Sequence, residues 1–211
     1  MTAFPRLFGP ALLTLCLLPG ILPAQDGGLY EDVADPNAAY VRVIAAPNAT
    51  ALVQTTSFPG LGTGISPYVA IPEAGEVQLT VGTTEAVVTV APGSFSTYVI
   101  APDGTATLLS DTGAASPAQA DVAFFNLSDQ PMVDLFVPAA KAVAIPGVAV
   151  GQSGAVALKA PLTLDFEARV GDSTLASVAG VDLRRRDAVT FVLRGTAGSY
   201  TLIAEANSIA K

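Results

Sequence analysis

The chain has 211 residues, 51% of them hydrophobic and only 13% charged, with one Cys, no Trp and no His. Without His it can run neither Ser-His-Asp nor Cys-His catalysis, and it can build no imidazole-containing zinc site. Acids outnumber bases 18 to 10, which argues against a nucleic-acid partner.

In chain order, the first element is a leader. Residues 1–24 place one cation, Arg6, before an apolar run from Leu7 to Leu22, and the run closes on Pro23-Ala24 ahead of polar Gln25-Asp26-Gly27-Gly28. That is the layout of a secretory signal peptide cleaved after Ala24. The competing reading, a membrane anchor, is weakened by Pro10 and Pro19 and by a run shorter than the ~20 residues a span needs. Cleavage would remove Cys16, leaving an exported, disulfide-free chain that apolar cores must hold together and that has no membrane span. Residues 25–38 form an N-terminal tail containing Gly28-Leu29-Tyr30.

From Tyr40 onward, short apolar runs alternate with Gly, Pro, Asn and Asp. Tyr40 to Ile44, Ala51 to Thr56, Pro67 to Ile71, Glu76 to Val81, Glu85 to Val90, Thr97 to Ala101 and Thr105 to Leu109 are predicted strands. In Leu162 to Val170 every second residue is apolar, with Thr163, Asp165, Glu167 and Arg169 between. That period predicts antiparallel strands with one buried and one wet face. Gly or Pro interrupts most windows long enough for a helix.

The second half repeats the grammar of the first. Val41-Arg42-Val43 followed by Pro47-Asn48 resembles Val122-Ala123-Phe124 followed by Ser128-Asp129, at a spacing of 81. Thr97-Tyr-Val-Ile-Ala matches Thr190-Phe-Val-Leu-Arg, and Gly82 and Gly171 are each expected at a hairpin turn. The predicted fold is all-β: two tandem antiparallel β-sandwich domains, 39–110 and 120–211, joined by a small polar linker at 111–119. A single larger barrel or sandwich is the competing arrangement. Charge separates the halves. Residues 25–118 hold Arg42 against nine acids, a net −8, and residues 119–211 hold eight cations against nine acids, a net −1.

The chemical motifs read as structure. Gly171-Asp172-Ser173 resembles the nucleophile tripeptide of SGNH esterases, but no His exists to accept a serine proton, and the tripeptide falls at a turn. Gly151-Gln-Ser-Gly154 lacks the last Gly of a nucleophile elbow. Gly60-Leu-Gly-Thr-Gly64 has Ile65 where a dinucleotide loop needs its third Gly. Asp165 and Glu167 share the wet face of one strand, and no calcium-loop spacing occurs. Asn48-Ala-Thr and Asn126-Leu-Ser fit the glycosylation sequon but sit where tight turns are expected. No catalytic, cofactor or metal residues are therefore predicted. Arg184, Arg185 and Arg186 are the most distinctive charged feature, read either as protection of a strand edge or as a contact for a uronate polymer or acidic partner. Phe124, Phe136, Phe166 and Phe191 fall at core positions, leaving Tyr30, Tyr40, Tyr68, Tyr98 and Tyr200 as the aromatics available for sugar stacking.

The order of features resembles a family. A signal peptide, Gly28-Leu29-Tyr30, Tyr40-Val-Arg-Val-Ile44, and a second half with Phe125-Asn126-Leu127-Ser128-Asp129-Gln130 together resemble the alginate O-acetylation accessory family, AlgF, over nearly the whole mature chain. The resemblance implies a periplasmic, non-catalytic adaptor required for acetylating alginate. Its implied partners are SGNH-type acetyltransferases and the polymer itself; Arg184, Arg185, Arg186 and Tyr30 are the candidate contacts that the residues themselves offer. Two readings stand beside it: a secreted polysaccharide-binding module and a structural surface β-sandwich.

Overall fold

Strand β1 (Ala39–Ile44) alternates as expected, yet all six of its residues are buried. Ala39, Val41 and Val43 enter one apolar core, while Tyr40 and Ile44 enter others on the opposite face. A strand with two dry faces must lie in an inner layer, and the topology shows which one. In the computed structural model, which describes residues 37–111 and 117–211, the first half continues with β2 (Ala51–Val53), β3 (Thr56–Phe58), β4 (Val69–Ile71), β5 (Gly75–Val81), β6 (Thr84–Val90), β7 (Phe95–Ile100) and β8 (Ala106–Asp111). An inner sheet β4-β1-β7-β8 packs on an outer sheet β3-β2-β5-β6.

The second half comprises β9 (Gln119–Ser128), β10 (Met132–Val137), β11 (Ala142–Ala149), β12 (Ser153–Lys159), β13 (Leu162–Val170), β14 (Ser173–Leu183), β15 (Ala188–Thr196) and β16 (Ser199–Ala206). Its sheets, inner β12-β9-β15-β16 and outer β11-β10-β13-β14, repeat the first order strand for strand. In each half one parallel pair, β1 with β7 and β9 with β15, sits among otherwise antiparallel neighbours. The register matches too: Arg42 lies opposite Thr97, and Ala123 opposite Thr190.

The two inner sheets pack against each other. Ile44 and Val99 from the first half meet Phe125, Leu127 and Val192 from the second in a shared cluster. Along β15, Val189, Phe191 and Leu193 fill the second sandwich while Val192 turns to this junction. The sheets therefore stack as four layers, outer-inner-inner-outer, with β1, β7, β9 and β15 the inner strands most deeply buried on both faces.

Several expectations shift. Ala51 to Thr56 is not one strand, because Gln54 takes a left-handed backbone (φ 53°) and folds the segment into the β2–β3 hairpin. Strands extend into both ends of the expected linker, β8 through Asp111 and β9 from Gln119. The C-terminus leaves the second half: the Tyr68 N–H donates to Ser208 O, the Ala210 N–H donates to Tyr68 O, and Ile209 packs beside Tyr68. The expected signal peptide, Tyr30 and residues 112–116 lie outside the described residues.

Gly64 marks how tightly the halves meet. It is left-handed (φ 83°), and a Cβ there would strike the Ala45 carbonyl oxygen and come within 2.6 Å of Arg194 Nη1. Gly64→Ala is expected to cost about 2–3 kcal/mol through backbone strain and displacement of Arg194, read as a lower urea midpoint.

Candidate functional site

The arginine triplet is not a patch. Arg184, Arg185 and Arg186 form the loop between β14 and β15, and their side chains diverge. Arg184 Nε donates to the exposed Asp182 at 3.0 Å, and Arg185 Nε donates to Ala160 O at 3.1 Å. Arg186 is left-handed (φ 66°), its N–H donates to Gln119 O, and its side chain reaches the rim of a cavity at the junction of the halves.

That cavity, about 360 Å³, is lined by Arg42, Tyr68, Phe95, Asp111, Arg186 and Asn207 among others. Arg42 is its centre and is 1% exposed. Burying a guanidinium costs several kcal/mol unless its donors find acceptors; here Nε and Nη1 find them, while Nη2 makes no hydrogen bond among the described residues. Nε donates to Thr97 Oγ1 at 2.8 Å, and Nη1 donates to Thr190 Oγ1 at 2.7 Å and to Asn207 Oδ1 at 2.9 Å. Nη2 lies 3.9 Å from Asp111 Oδ1, while the guanidinium sits over the Tyr68 ring, 4.5 Å from its centroid. Each threonine passes the chain on, Thr97 to Asp111 Oδ2 at 2.6 Å and Thr190 to Asn207 Oδ1 at 2.7 Å. The strand pairing of each half thus sets Thr97 and Thr190 in matching places, and one arginine joins both.

Tyr68 donates to Asp111 Oδ2 at 2.8 Å. Burial pushes its phenol pKa well up, the Arg42 charge opposes this, and the Asp111 charge adds to it, so the hydroxyl remains a donor. A second arginine, Arg194, donates from Nη1 to Thr63 O at 2.7 Å across the junction, and its pKa is lowered to about 10 by burial. Thr63 also donates to Glu205. Among the described residues no three His, Cys, Asp or Glu side chains gather as a metal site. The chemistry on offer is fixation of charge and joining of sheets.

The Asn126 to Gln130 motif is a folded polar knot. Asn126 is fully buried; its Nδ2 donates to Gln130 O and Val148 O, both at 3.0 Å, and its Oδ1 accepts from Ser128 Oγ at 2.7 Å. It is therefore closed to glycosylation, whereas Asn48 is exposed on a left-handed turn. Asp129 accepts from the Ala197 N–H, the Tyr200 hydroxyl and Gln130 Nε2, and these bonds, the Ala197 N–H foremost, lower its pKa. A depressed carboxyl stabilises the fold above its unfolded value of about 3.9, and that stability fades as pH falls through the lower folded value. Melting temperatures measured from pH 6 down to pH 2 should therefore fall more steeply for the natural chain than for Asp129→Asn.

Arg42 was visible in the sequence only as the lone cation of the first half; its place inside an apolar strand was the available signal. The aromatics also exchange roles. Tyr40, Tyr68 and Tyr98 are buried. Phe136, expected in the core, instead lies on the outer face, because Val133, Leu135 and Val137 take the inward positions of β10. Its ring is covered by Arg169, 3.6 Å from the centroid, which Glu167 holds in an ion pair at 2.6 Å. Gly171-Asp172 is the two-residue β13–β14 turn with Gly171 at φ 58°, as the sequence predicts.

The family profile described as "Alginate O-acetyl transferase AlgF" matches residues 13–190. The chain belongs to the AlgF family. Members of this family take part in alginate O-acetylation. The solved C-terminal domain of AlgF from P. aeruginosa is similar at 19% identity, covering 43% of this chain and 99% of that one, with a TM-score of 0.38. The N-terminal domain of the same protein is similar at 26% identity, covering 38% of this chain and all of that one, with a TM-score of 0.33. The family assignment rests on the profile. A comparison with curated proteins finds no significant match.

Proposed function

We propose that this AlgF-family protein is a non-catalytic periplasmic adaptor in alginate O-acetylation, docking SGNH-type acetyltransferases that perform the chemistry. The observation that carries the reading is the commitment of the junction to structure: its central cation is bound to Thr97, Thr190 and Asn207, and both inner sheets are spent on joining the halves. Outer faces and strand edges are what remain for other molecules. A chain with no His has no imidazole to relay protons in acyl transfer. Arg184 and Arg186 add exposed cations, Arg186 at the cavity rim, for an acidic partner or the polymer.

The test is threefold. The purified protein should co-elute with the periplasmic acetyltransferases of the same organism, deletion should abolish acetylation of the exported polymer, and the isolated protein should transfer no acetyl group from an activated donor ester. Acetyl transfer by the isolated protein, or unchanged acetylation after deletion, would sink the proposal.

A further inference from the structure

The two halves share a strand order but finish their outer sheets differently. In the second half the edge strand β14 has 11 residues, carries two register shifts against β13, bends at Gly180 (φ 68°), and packs along β16 to close the sandwich. Its counterpart β6 has 7 residues, runs in unbroken register with β5, and makes substantial contact with β5 alone among the described elements. The side of the first sandwich between β6 and β8 is correspondingly open, with Ala86, Val88 and Leu108 only partly buried against its core. Bulges, inward charges, prolines and short length are the usual guards of an edge. Edge strands β3 and β4 have 3 residues each, and β11 contains Pro146 and register shifts. Strand β6, Thr-Glu-Ala-Val-Val-Thr-Val, has no bulge, proline or inward charge, carries a single charge, the exposed Glu85, and is rich in β-branched residues.

The hairpin sets which backbone groups are free. Val81 and Thr84 flank the two-residue turn and form a hydrogen-bonded pair, so by alternation Thr84, Ala86, Val88 and Val90 bond β5. The N–H and C=O groups of Glu85, Val87 and Thr89 therefore face outward from the edge. The side chains of the same three residues are exposed, and Val87, at 61%, is the most exposed large apolar residue of the described chain.

From this edge we infer that β6 is a docking strand for an extended segment of a partner protein that alternates apolar and basic residues. The inference rests on the adaptor reading and assigns the chemistry of its partner. Charge selects the occupant. In the described first half, Glu73, Glu76, Glu85 and Asp103 are exposed and the one cation, Arg42, is buried, so every fully exposed charge is negative. A second copy would bring the same acids against these, whereas an alternating segment would set Lys or Arg on the wet face beside Glu85 and apolar side chains on the other face beside the partly buried Ala86 and Val88. Added as a strand, such a segment would satisfy the free groups of Glu85, Val87 and Thr89 by β-augmentation.

The test uses the full mature chain and two probe peptides, acetyl-Thr-Lys-Val-Lys-Val-Lys-Thr-amide and its Glu-for-Lys counterpart, with amide hydrogen exchange as readout. The basic peptide should slow exchange at Glu85, Val87 and Thr89 roughly tenfold, and the acidic one should leave it unchanged. Val87→Pro removes an N–H that bonds nothing within the fold and should abolish the protection; Glu85→Lys should weaken the basic peptide while leaving the melting temperature near that of the natural chain. Equal protection by both peptides, protection elsewhere only, or a dimer in sedimentation that Val87→Pro dissociates would overturn the inference. So would an acetyltransferase complex that Val87→Pro leaves intact, although the adaptor reading would then survive. Peptide protection without any acetyltransferase complex would uphold the edge and retire the adaptor.

Discussion

Arg42→Ala is expected to lower the unfolding free energy by about 3–5 kcal/mol, the range for breaking a buried ion network by removing one partner. The loss has identifiable parts. Thr97 Oγ1, Thr190 Oγ1 and Asn207 Oδ1 each lose a charged donor, and Asp111, 11% exposed, loses its nearest cation. The arginine also packs over Tyr68, so truncation opens space where the halves join. Because its bonds run to both inner sheets, urea unfolding followed by one probe in each half should coincide for the natural chain and separate for the variant. Arg42→Lys keeps the charge without the planar fork that reaches Thr97 and Thr190 together, and should recover only part of the loss. Coincident, unshifted transitions in Arg42→Ala would mean that the apolar cluster around Phe125 holds the junction unaided.

Phe166→Ala should cost a similar amount, about 3–5 kcal/mol, through lost burial and a cavity. Phe166 is fully buried, and its ring lies 4.5 Å from that of Phe191 at 50°, bridging the two sheets of the second sandwich. Phe136→Ala is the matched control: its ring sits on the outer face beneath Arg169, so the expected loss is about 1 kcal/mol or less. Denaturant midpoints of the two variants compare them directly, and equal losses would contradict the inward and outward assignments along β10 and β13.

Much of this architecture was legible from residue spacing. The 81-residue offset between Val41-Arg42-Val43 and Val122-Ala123-Phe124, with the match of Thr97 to Thr190, corresponds to the strand register of the two halves. Gly82 and Gly171 stand at equivalent hairpins with φ 59° and 58°. What stayed hidden was the second dry face of β1, β7, β9 and β15. Period-two reading assigns polar residues to water, and Arg42, Thr97 and Thr190 are polar; that they bond one another across the halves is a long-range fact that no local window contains. The same limit misplaced Phe136, since one apolar residue on an outer face looks like any core residue until its neighbours' directions are known. The arginine triplet drew notice as a run, yet its backbone turns at Arg186 and sends each side chain elsewhere. The return of Ile209 and Ala210 to the first half has no signature beyond two apolar residues near a terminus.

Equivalent residues of the two halves, Ile44 and Phe125, Val99 and Val192, share the junction cluster and so reproduce inside one chain the self-complementary contact by which two identical subunits form a twofold dimer. In such a dimer, residue 42 and its image would be the same residue, and two guanidiniums would be brought together in a dry interface with acceptors for one. Covalent fusion lifts that constraint. The position equivalent to Arg42 is Ala123, which also lines the cavity, so the charge stands on one side and the room for it on the other. Repetition of the sandwich within one chain thereby permits an asymmetric centre that a pair of identical subunits could not encode.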